Sequence, residues 1–176
     1  MTELGGEAYL LNLSLLAITF SAVSVLVMLV RQSMGGKLSN FDIHLVSSYV
    51  ARGFVIAVAA VIPPLLADFD LHPQVFWAIA SLLACFLLIA GVFRVQRERF
   101  QITKVRLPRF PVFVLGAHWL AAALLIANAI LPTVQGGGLF KVALTMPLAT
   151  VMWAFVRRIG SLLGDTPGED WDPTRG

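Results

Sequence analysis

The chain has 176 residues, of which 58% are hydrophobic and only 13% charged, with a mean hydropathy of +0.83. Soluble domains average about 45–50% apolar and about 25% charged residues, so this composition excludes an ordinary soluble fold. The apolar residues form long unbroken runs, whereas barrel strands would give short alternating segments. Because backbone polar groups in a bilayer must be paired internally, we predict an all-α integral membrane protein.

Five segments have the roughly 20 predominantly apolar residues that a membrane-crossing helix needs. To within a few residues, these spans are 9–30, 43–66, 74–93, 110–131 and 139–156. The first lacks a basic segment before it and a small-residue cleavage site after it, so we expect it to remain as a helix. We therefore predict one transmembrane helical bundle over residues 1–160. Residues 161–176, which are acidic and rich in proline and glycine, are predicted to form a disordered tail.

Lysine and arginine are concentrated on one side of these spans. Arg31 and Lys37 follow the first span, and Arg157 and Arg158 follow the fifth. The loop after the third span is the most basic segment and contains Arg94, Arg97, Arg99, Lys104, Arg106 and Arg109. The opposite side has four acidic residues and only Lys141 as a base. The positive-inside rule then places the N-terminus outside and the C-terminus in the cytoplasm.

The basic loop is expected to bind anionic lipid headgroups, at about 1 kcal/mol per charge near the membrane surface. Nucleic-acid binding is the alternative, but the positive-inside rule already explains these residues, so we expect no nucleic-acid partner. The acidic tail lies on the same side with the opposite charge, and we hypothesise that it folds back onto the loop. The expected location is a bacterial inner membrane.

Ionisable side chains inside a span are costly and are therefore candidates for function. His44, Ser48 and Arg52 are spaced four apart and share one face of the second helix. One interpretation is a polar path or anion site that opens from the cytoplasm. The other is an amphipathic helix start, in which Arg52 extends, or snorkels, toward the headgroups. About 24 Å of helix separates Arg52 from Asp68, which favours a position near the inner edge of the hydrocarbon and therefore snorkelling.

The fourth span contributes two buried polar candidates, His118 and Asn128. Three roles are open to His118: a haem ligand, a proton relay, or a structural histidine bonded to a nearby hydroxyl or carbonyl. A bis-histidine haem needs a second imidazole at the same depth, and His44 lies nearer the inner surface. We therefore favour the structural role and expect no cofactor. Asn128 is expected to bridge two helices.

The fifth span contains Pro147 near its middle. A proline there removes one backbone hydrogen bond and clashes with the carbonyl of Ala143, which predicts a helix kink that is either a static bend or a gate. Thr145 and Thr150 are placed to help satisfy the loosened turn. The single cysteine, Cys85, lies within an apolar run and is interpreted as packing.

No motif in the sequence specifies a reaction. Nucleotide-binding loops, nucleophile elbows, zinc-protease helices and paired cysteines are all missing from it, and no acidic residue lies inside a span. We therefore expect no enzyme activity and no metal site. The expected function is an accessory or scaffold bundle that contacts lipid, a second copy or a partner membrane protein. The alternative is an oligomeric channel or transport subunit with a polar path through His44, Ser48, Arg52 and His118.

Overall fold

The computed structural model describes residues 6–34, 40–103, 109–131 and 137–164, with the backbone alone at some helix ends. These residues form five long α-helices, and a short 3-10 helix, Ala67–Phe69, follows the second. The helices are α1 (Glu7–Ser33), α2 (Asn40–Leu66), α3 (Pro73–Thr103), α4 (Arg109–Ile130) and α5 (Gly138–Gly164). All five are long and apolar enough to cross a membrane. The prediction of an all-α protein with five potential spans is confirmed.

Two helices extend well beyond the apolar segments that predicted them. α3 continues past Phe93 to Thr103, so the first part of the predicted basic loop is helical. Residues 94–103 contain no glycine or proline, so nothing ends the helix where its apolar stretch ends. α5 likewise continues to Gly164, into the predicted tail. The hypothesis that the acidic tail, residues 161–176, folds back onto the loop stays a prediction, because all the acidic residues of the tail lie outside the described part of the chain.

The helices alternate in direction, because short connections join consecutive long helices. Each of α2, α3, α4 and α5 contacts the next, and α5 contacts α2, which closes a ring of four helices. α1 packs on α2 and α5, outside that ring. We call one end of the bundle the basic end; it carries Arg31, Arg94, Arg97, Arg157 and Arg158. The opposite, acidic end carries Glu7, Asp68 and Asp70 together with Lys141.

Small side chains fill much of the interior and allow the helices to approach closely. The fully buried alanines are spread over all five helices and include Ala17, Ala59, Ala60, Ala80, Ala84, Ala121 and Ala143. Large apolar side chains such as Leu15, Phe54 and Phe86 are exposed on the outside. An outer surface of this kind suits contact with lipid, where exposed apolar area carries no cost.

α1 and α2 approach each other closely at Gly53. A Cβ atom at this position would lie 3.0 Å from the carbonyl oxygen of Ala17 and would also meet the hydroxyl of Ser21. That hydroxyl donates a hydrogen bond to the Ala17 carbonyl at 2.9 Å and lies 3.4 Å from the carbonyl oxygen of Val50. Only glycine permits this approach of the two backbones.

α5 continues through Pro147, which is fully buried. The Thr150 hydroxyl donates to the carbonyl of Pro147 at 2.9 Å, and the Thr145 hydroxyl donates to the carbonyl of Lys141 at 2.7 Å. Both threonines therefore bond to turns that flank the proline, rather than to the Ala143 carbonyl that proline leaves without its usual donor. Whether the helix is bent or gated at Pro147 stays a prediction.

Candidate functional site

Arg52 is half-buried and lies about midway along α2. Its neighbour Gly53 packs against Ala17 and Ser21, close to the middle of α1. Towards the basic end, about 15 Å of helix separates Arg52 from Asp42. That distance is longer than an arginine side chain, and the Nε atom of Arg52 is buried. Whether Arg52 snorkels toward the headgroups or forms part of a polar path stays a prediction.

Arg52 shares this region with three other polar side chains. Its positive charge acts on both Tyr49 and His118, and the charge of Arg158 also acts on Tyr49. Tyr49 and His118 are each only 3% exposed, whereas Arg52 and Arg158 are half-buried. We call Tyr49, Arg52, His118 and Arg158 the interior polar cluster; its members come from α2, α4 and α5. Arg52 and Arg158 each interact with other groups of the chain as well.

An aromatic trio covers the interior polar cluster on the side of α1. The rings of Phe20, Tyr49 and Phe155 meet edge to face, with centroids 5.5 to 6.4 Å apart. Edge-to-face pairs of this kind contribute about 0.5–1.5 kcal/mol each beyond their buried area. The trio ties α1 to α2 and α5 and fixes the ring that carries the Tyr49 hydroxyl.

His118 uses one ring nitrogen for a structural bond. Its Nδ1 lies 2.8 Å from the carbonyl oxygen of Val114. A carbonyl oxygen can only accept, so Nδ1 carries the proton, and Nε2 of the neutral ring is a hydrogen-bond acceptor. Nε2 is buried and has no hydrogen-bond partner among the residues that the structure describes. The predicted structural role therefore accounts for only one of the two nitrogens.

The predicted stripe on α2 is brought only partly into this site. The Ser48 hydroxyl is buried and donates to the carbonyl of Leu45 at 2.7 Å, within its own helix. His44 is half-buried. It lies nearer the basic end than Arg52, and about 12 Å of helix separates the two residues. Of the three, it is Arg52 whose charge acts on His118. Arg52 is thus linked to His118 through its charge, whereas Ser48 is bonded locally and His44 lies at another depth.

Asn128 lies towards the acidic end of the interior. Its Nδ2 donates to the Ser81 hydroxyl at 2.8 Å, and both side chains are buried. The predicted bridge between two helices, here α4 and α3, is confirmed. The buried thiol of Cys85 lies 3.8 Å from the carbonyl oxygen of Ala122, also between α3 and α4.

Sequence reasoning missed two members of the interior polar cluster and one ion pair. Tyr49 lies three residues before Arg52, on the same helix face, so helical spacing was a usable indication. Arg158 follows the last span, and in the sequence it was used only to assign the orientation of the chain in the membrane. The guanidinium of Arg31 donates to the Asp42 carboxylate at 3.1 Å and joins α1 to α2 at the basic end. The sequence did not indicate this pair, because it depends on how two helices meet.

At the basic end, the outer surface of α3 has an open surface cavity. It is lined by Phe93, Arg94, Arg97 and Glu98. Within it, the Arg94 guanidinium donates to Glu98 at 3.0 Å, and both side chains are well exposed. The side chains of Arg99, Lys104, Arg106 and Arg109, also predicted to bind headgroups, lie outside the described part. On α5, Arg157 lies over the ring of Trp153, 5.3 Å from its centroid.

No family model, no curated protein and no solved structure matches this chain. Within the part of the chain that the structure describes, no three His, Cys, Asp or Glu side chains come together as a metal site. The features that bear on function are therefore the five-helix bundle, the interior polar cluster and the basic end.

Proposed function

We propose that this chain is a non-enzymatic accessory or scaffold subunit, a membrane-spanning helical bundle whose basic end faces the cytoplasm. The observation that carries the proposal is the apolar packing of the interior towards the acidic end. Leu10, Leu125, Phe140 and Leu144 are fully buried there. A solute path through a single chain would need polar groups or water along its whole length, and these side chains occupy that space.

The polar groups near the acidic end support the same proposal, because they join helices. The Tyr9 hydroxyl is hydrogen-bonded to the Thr145 hydroxyl, which links α1 to α5, and Asn128 is bonded to Ser81. Trp77 contacts Phe140 across the α3–α5 junction, with ring centroids 5.7 Å apart. Polar side chains used in this way hold a membrane bundle together and are not available to a passing ion.

The partners in this proposal are anionic lipid on the cytoplasmic side and either a second copy or another membrane protein, in a bacterial inner membrane. Support for the lipid contact comes from Arg94 and Arg97, which line the cavity on α3 beside the apolar ring of Phe93. An acidic headgroup fits such a surface, because it pairs with the guanidinium groups while its chains lie along the apolar side chains.

A second candidate is an oligomeric channel or transport subunit. It is favoured by one observation, the presence of the half-buried Arg52 and the buried His118 within two candidate spans, since ionisable side chains inside a span are functional by default. Five helices are few for a transporter that alternates its access, so this candidate requires several copies around a shared pore. His44 and Ser48 would then extend the path towards the basic end.

Native mass spectrometry in mild detergent, followed by ion flux in vesicles that contain the purified chain, separates the two candidates. The accessory proposal predicts no ring of identical chains and no flux above that of empty vesicles, in the native chain and in Arg52→Ala alike. Arg157→Ala, a change at the exposed surface of the same end, is the matched control. A closed ring whose flux changes in Arg52→Ala but not in Arg157→Ala would overturn the accessory proposal in favour of a pore.

A further inference from the structure

The exposed apolar surface ends at different heights on α3 and α1. Gly91 on α3 packs against Val55 on α2, where a Cβ atom added to the glycine would lie 3.2 Å from the valine side chain. The two helices are antiparallel, so Phe93, two residues nearer the basic end, is level with Gly53. Gly53 in turn packs against Ser21 on α1. These contacts place Phe93 and Ser21 at about the same height in the bundle.

From this height towards the basic end, the two helices differ in what they expose. On α3, the next exposed side chains after Phe93 are those of Arg94 and Arg97. On α1, every exposed side chain from residue 22 to residue 30 is apolar, and this segment rises about 14 Å beyond the height of Phe93. The charged surface therefore begins about 14 Å nearer the middle of the bundle on α3 than on α1.

α4, which borders α3, also exposes apolar side chains beside these arginines. The register of the two helices is fixed by the ring contact between Phe93 and Trp119, whose centroids are 6.3 Å apart, and by a hydrogen bond between α4 and α3 nearer the acidic end. Arg97, one helical turn beyond Phe93, is therefore level with residues 112–115 of α4. The first two of those residues are apolar and more than half exposed. Arg97 thus lies beside a surface that suits lipid chains.

The guanidinium of Arg97 adds a net positive charge at this height. Arg94 is bonded to Glu98 at 3.0 Å, and among the described residues no carboxylate is paired with the exposed Arg97. A second copy of the chain offers no better partner, because its other described acidic residues lie at the acidic end or, for Asp42, are bonded to Arg31. A charge in hydrocarbon is costly, and a bilayer lowers that cost by thinning locally until headgroups reach the charge.

We propose that the phosphate of an anionic phospholipid binds Arg97 in a recess of the membrane surface beside α3, deeper than the headgroup layer around α1. A phosphate group matches the planar guanidinium, which can donate two parallel hydrogen bonds to it. Phe93 lines the same open cavity and offers an apolar contact to the lipid chains. This inference rests on the lipid contact proposed above and adds its depth in the membrane.

Spin labels on the full chain test the recess. Single nitroxides are attached at Phe93→Cys, Ile18→Cys or Leu120→Cys in a Cys85→Ala background, because Cys85 is the only native cysteine. All three positions are exposed and at similar heights, on α3, on α1, and on the side of α4 towards α5. In vesicles of equal parts phosphatidylcholine and phosphatidylglycerol, collisions with a water-soluble nickel chelate are compared with collisions with oxygen, which concentrates in hydrocarbon. We expect a nickel-to-oxygen ratio several-fold higher at position 93 than at positions 18 and 120.

Variants of Arg97 show whether its charge holds the recess. With the label at position 93, Arg97→Leu should lower the ratio to that of position 18, and Arg97→Lys should keep most of it. Arg157→Leu, which removes another arginine from the same end, is the matched control and should change nothing. Vesicles of phosphatidylcholine alone should also lower the ratio at position 93, because they lack the anionic headgroup.

Three results would overturn the proposal. Equal ratios at positions 93 and 18 would mean that the headgroup layer is not recessed. A ratio raised at positions 93 and 120 alike would mean that the whole bundle is tilted. A high ratio at position 93 that survives both Arg97→Leu and the neutral vesicles would mean that anionic lipid does not form the recess.

Native mass spectrometry of the same variants tests the lipid contact separately from its depth. If Arg97→Leu retains as much phosphatidylglycerol as the native chain, the lipid contact at Arg97 itself fails. Equal label ratios combined with a loss of retained lipid in Arg97→Leu would contradict the depth alone and leave the lipid contact standing.

Discussion

Polar side chains have different kinds of partner in the two halves of the bundle. Towards the acidic end, Asn128 is matched with Ser81 and Tyr9 with Thr145, so neutral groups satisfy one another across helix junctions. Towards the basic end, Arg52 and Arg158 bring formal charges beside buried rings. Neutral pairs can be closed by two side chains alone. Half-buried cations need a larger set of partners, so we expect any ligand or regulatory contact in the basic half.

The boundary between the halves is the crossing of α1 and α2 at Gly53, and the largest effect is expected there. In Gly53→Val the new side chain meets the backbone of Ala17, which cannot move aside without shifting α1. We expect a loss of about 1–3 kcal/mol in unfolding free energy, as for other overpacked sites. Chemical unfolding in detergent micelles would measure it.

Gly116→Val on α4 is the matched control for this crossing, because a Cβ at that glycine meets no atom within 4 Å. It should leave the unfolding free energy nearly unchanged. Equal losses in the two variants would mean that the valine side chain itself, rather than the contact with α1, is responsible. The close contact at Gly53 would then not be what stabilises the packing of α1 on α2.

Hydropathy located the five helices because the length of an apolar run is set by the thickness of the bilayer. It could not locate the end of α3, since the helix continues through the polar residues 94–103, which contain no glycine or proline. The candidate site was harder to predict from the sequence than the helices were. The sequence placed Arg52 and His118 on one possible polar path, but which side chains face each other depends on the rotation of α2 and α4, which side-chain packing across the whole ring determines.

The paired polar groups of the acidic half predict a measurable coupling between Asn128 and Ser81. A double-mutant cycle with Asn128→Ala and Ser81→Ala should give a coupling of about 0.6 kcal/mol, the average for interhelical hydrogen bonds in a membrane protein. The value stays modest because these groups also find partners in the unfolded state. The cycle needs the unfolding free energies of the native chain, the two single variants and the double variant, all measured in the same micelles. A coupling of zero would contradict the view that this half is held by matched neutral pairs.

The ion pairs of the basic end should differ from each other in strength and in response to salt. The side chains of Arg31 and Asp42 are only 14% and 17% exposed, whereas those of Arg94 and Glu98 are 77% and 40% exposed. The second pair is a helical i, i+4 pair at the surface, so we expect a coupling of about 0.3–0.5 kcal/mol. Screening should remove most of that coupling at about 1 M salt, where the Debye length is roughly 3 Å.

The Arg31–Asp42 pair should lose much less of its coupling at the same salt concentration, because its atoms are shielded from solvent and it joins two helices. Parallel cycles at low and high salt, with Arg31→Gln and Asp42→Asn for one pair and Arg94→Gln and Glu98→Gln for the other, would measure the difference. If both couplings fall together, the Arg31–Asp42 pair behaves as a surface pair. Solvent would then screen the charges at the α1–α2 junction as well. Arg31 would have to be grouped with the surface cations of the basic end, and Arg52 would be treated separately.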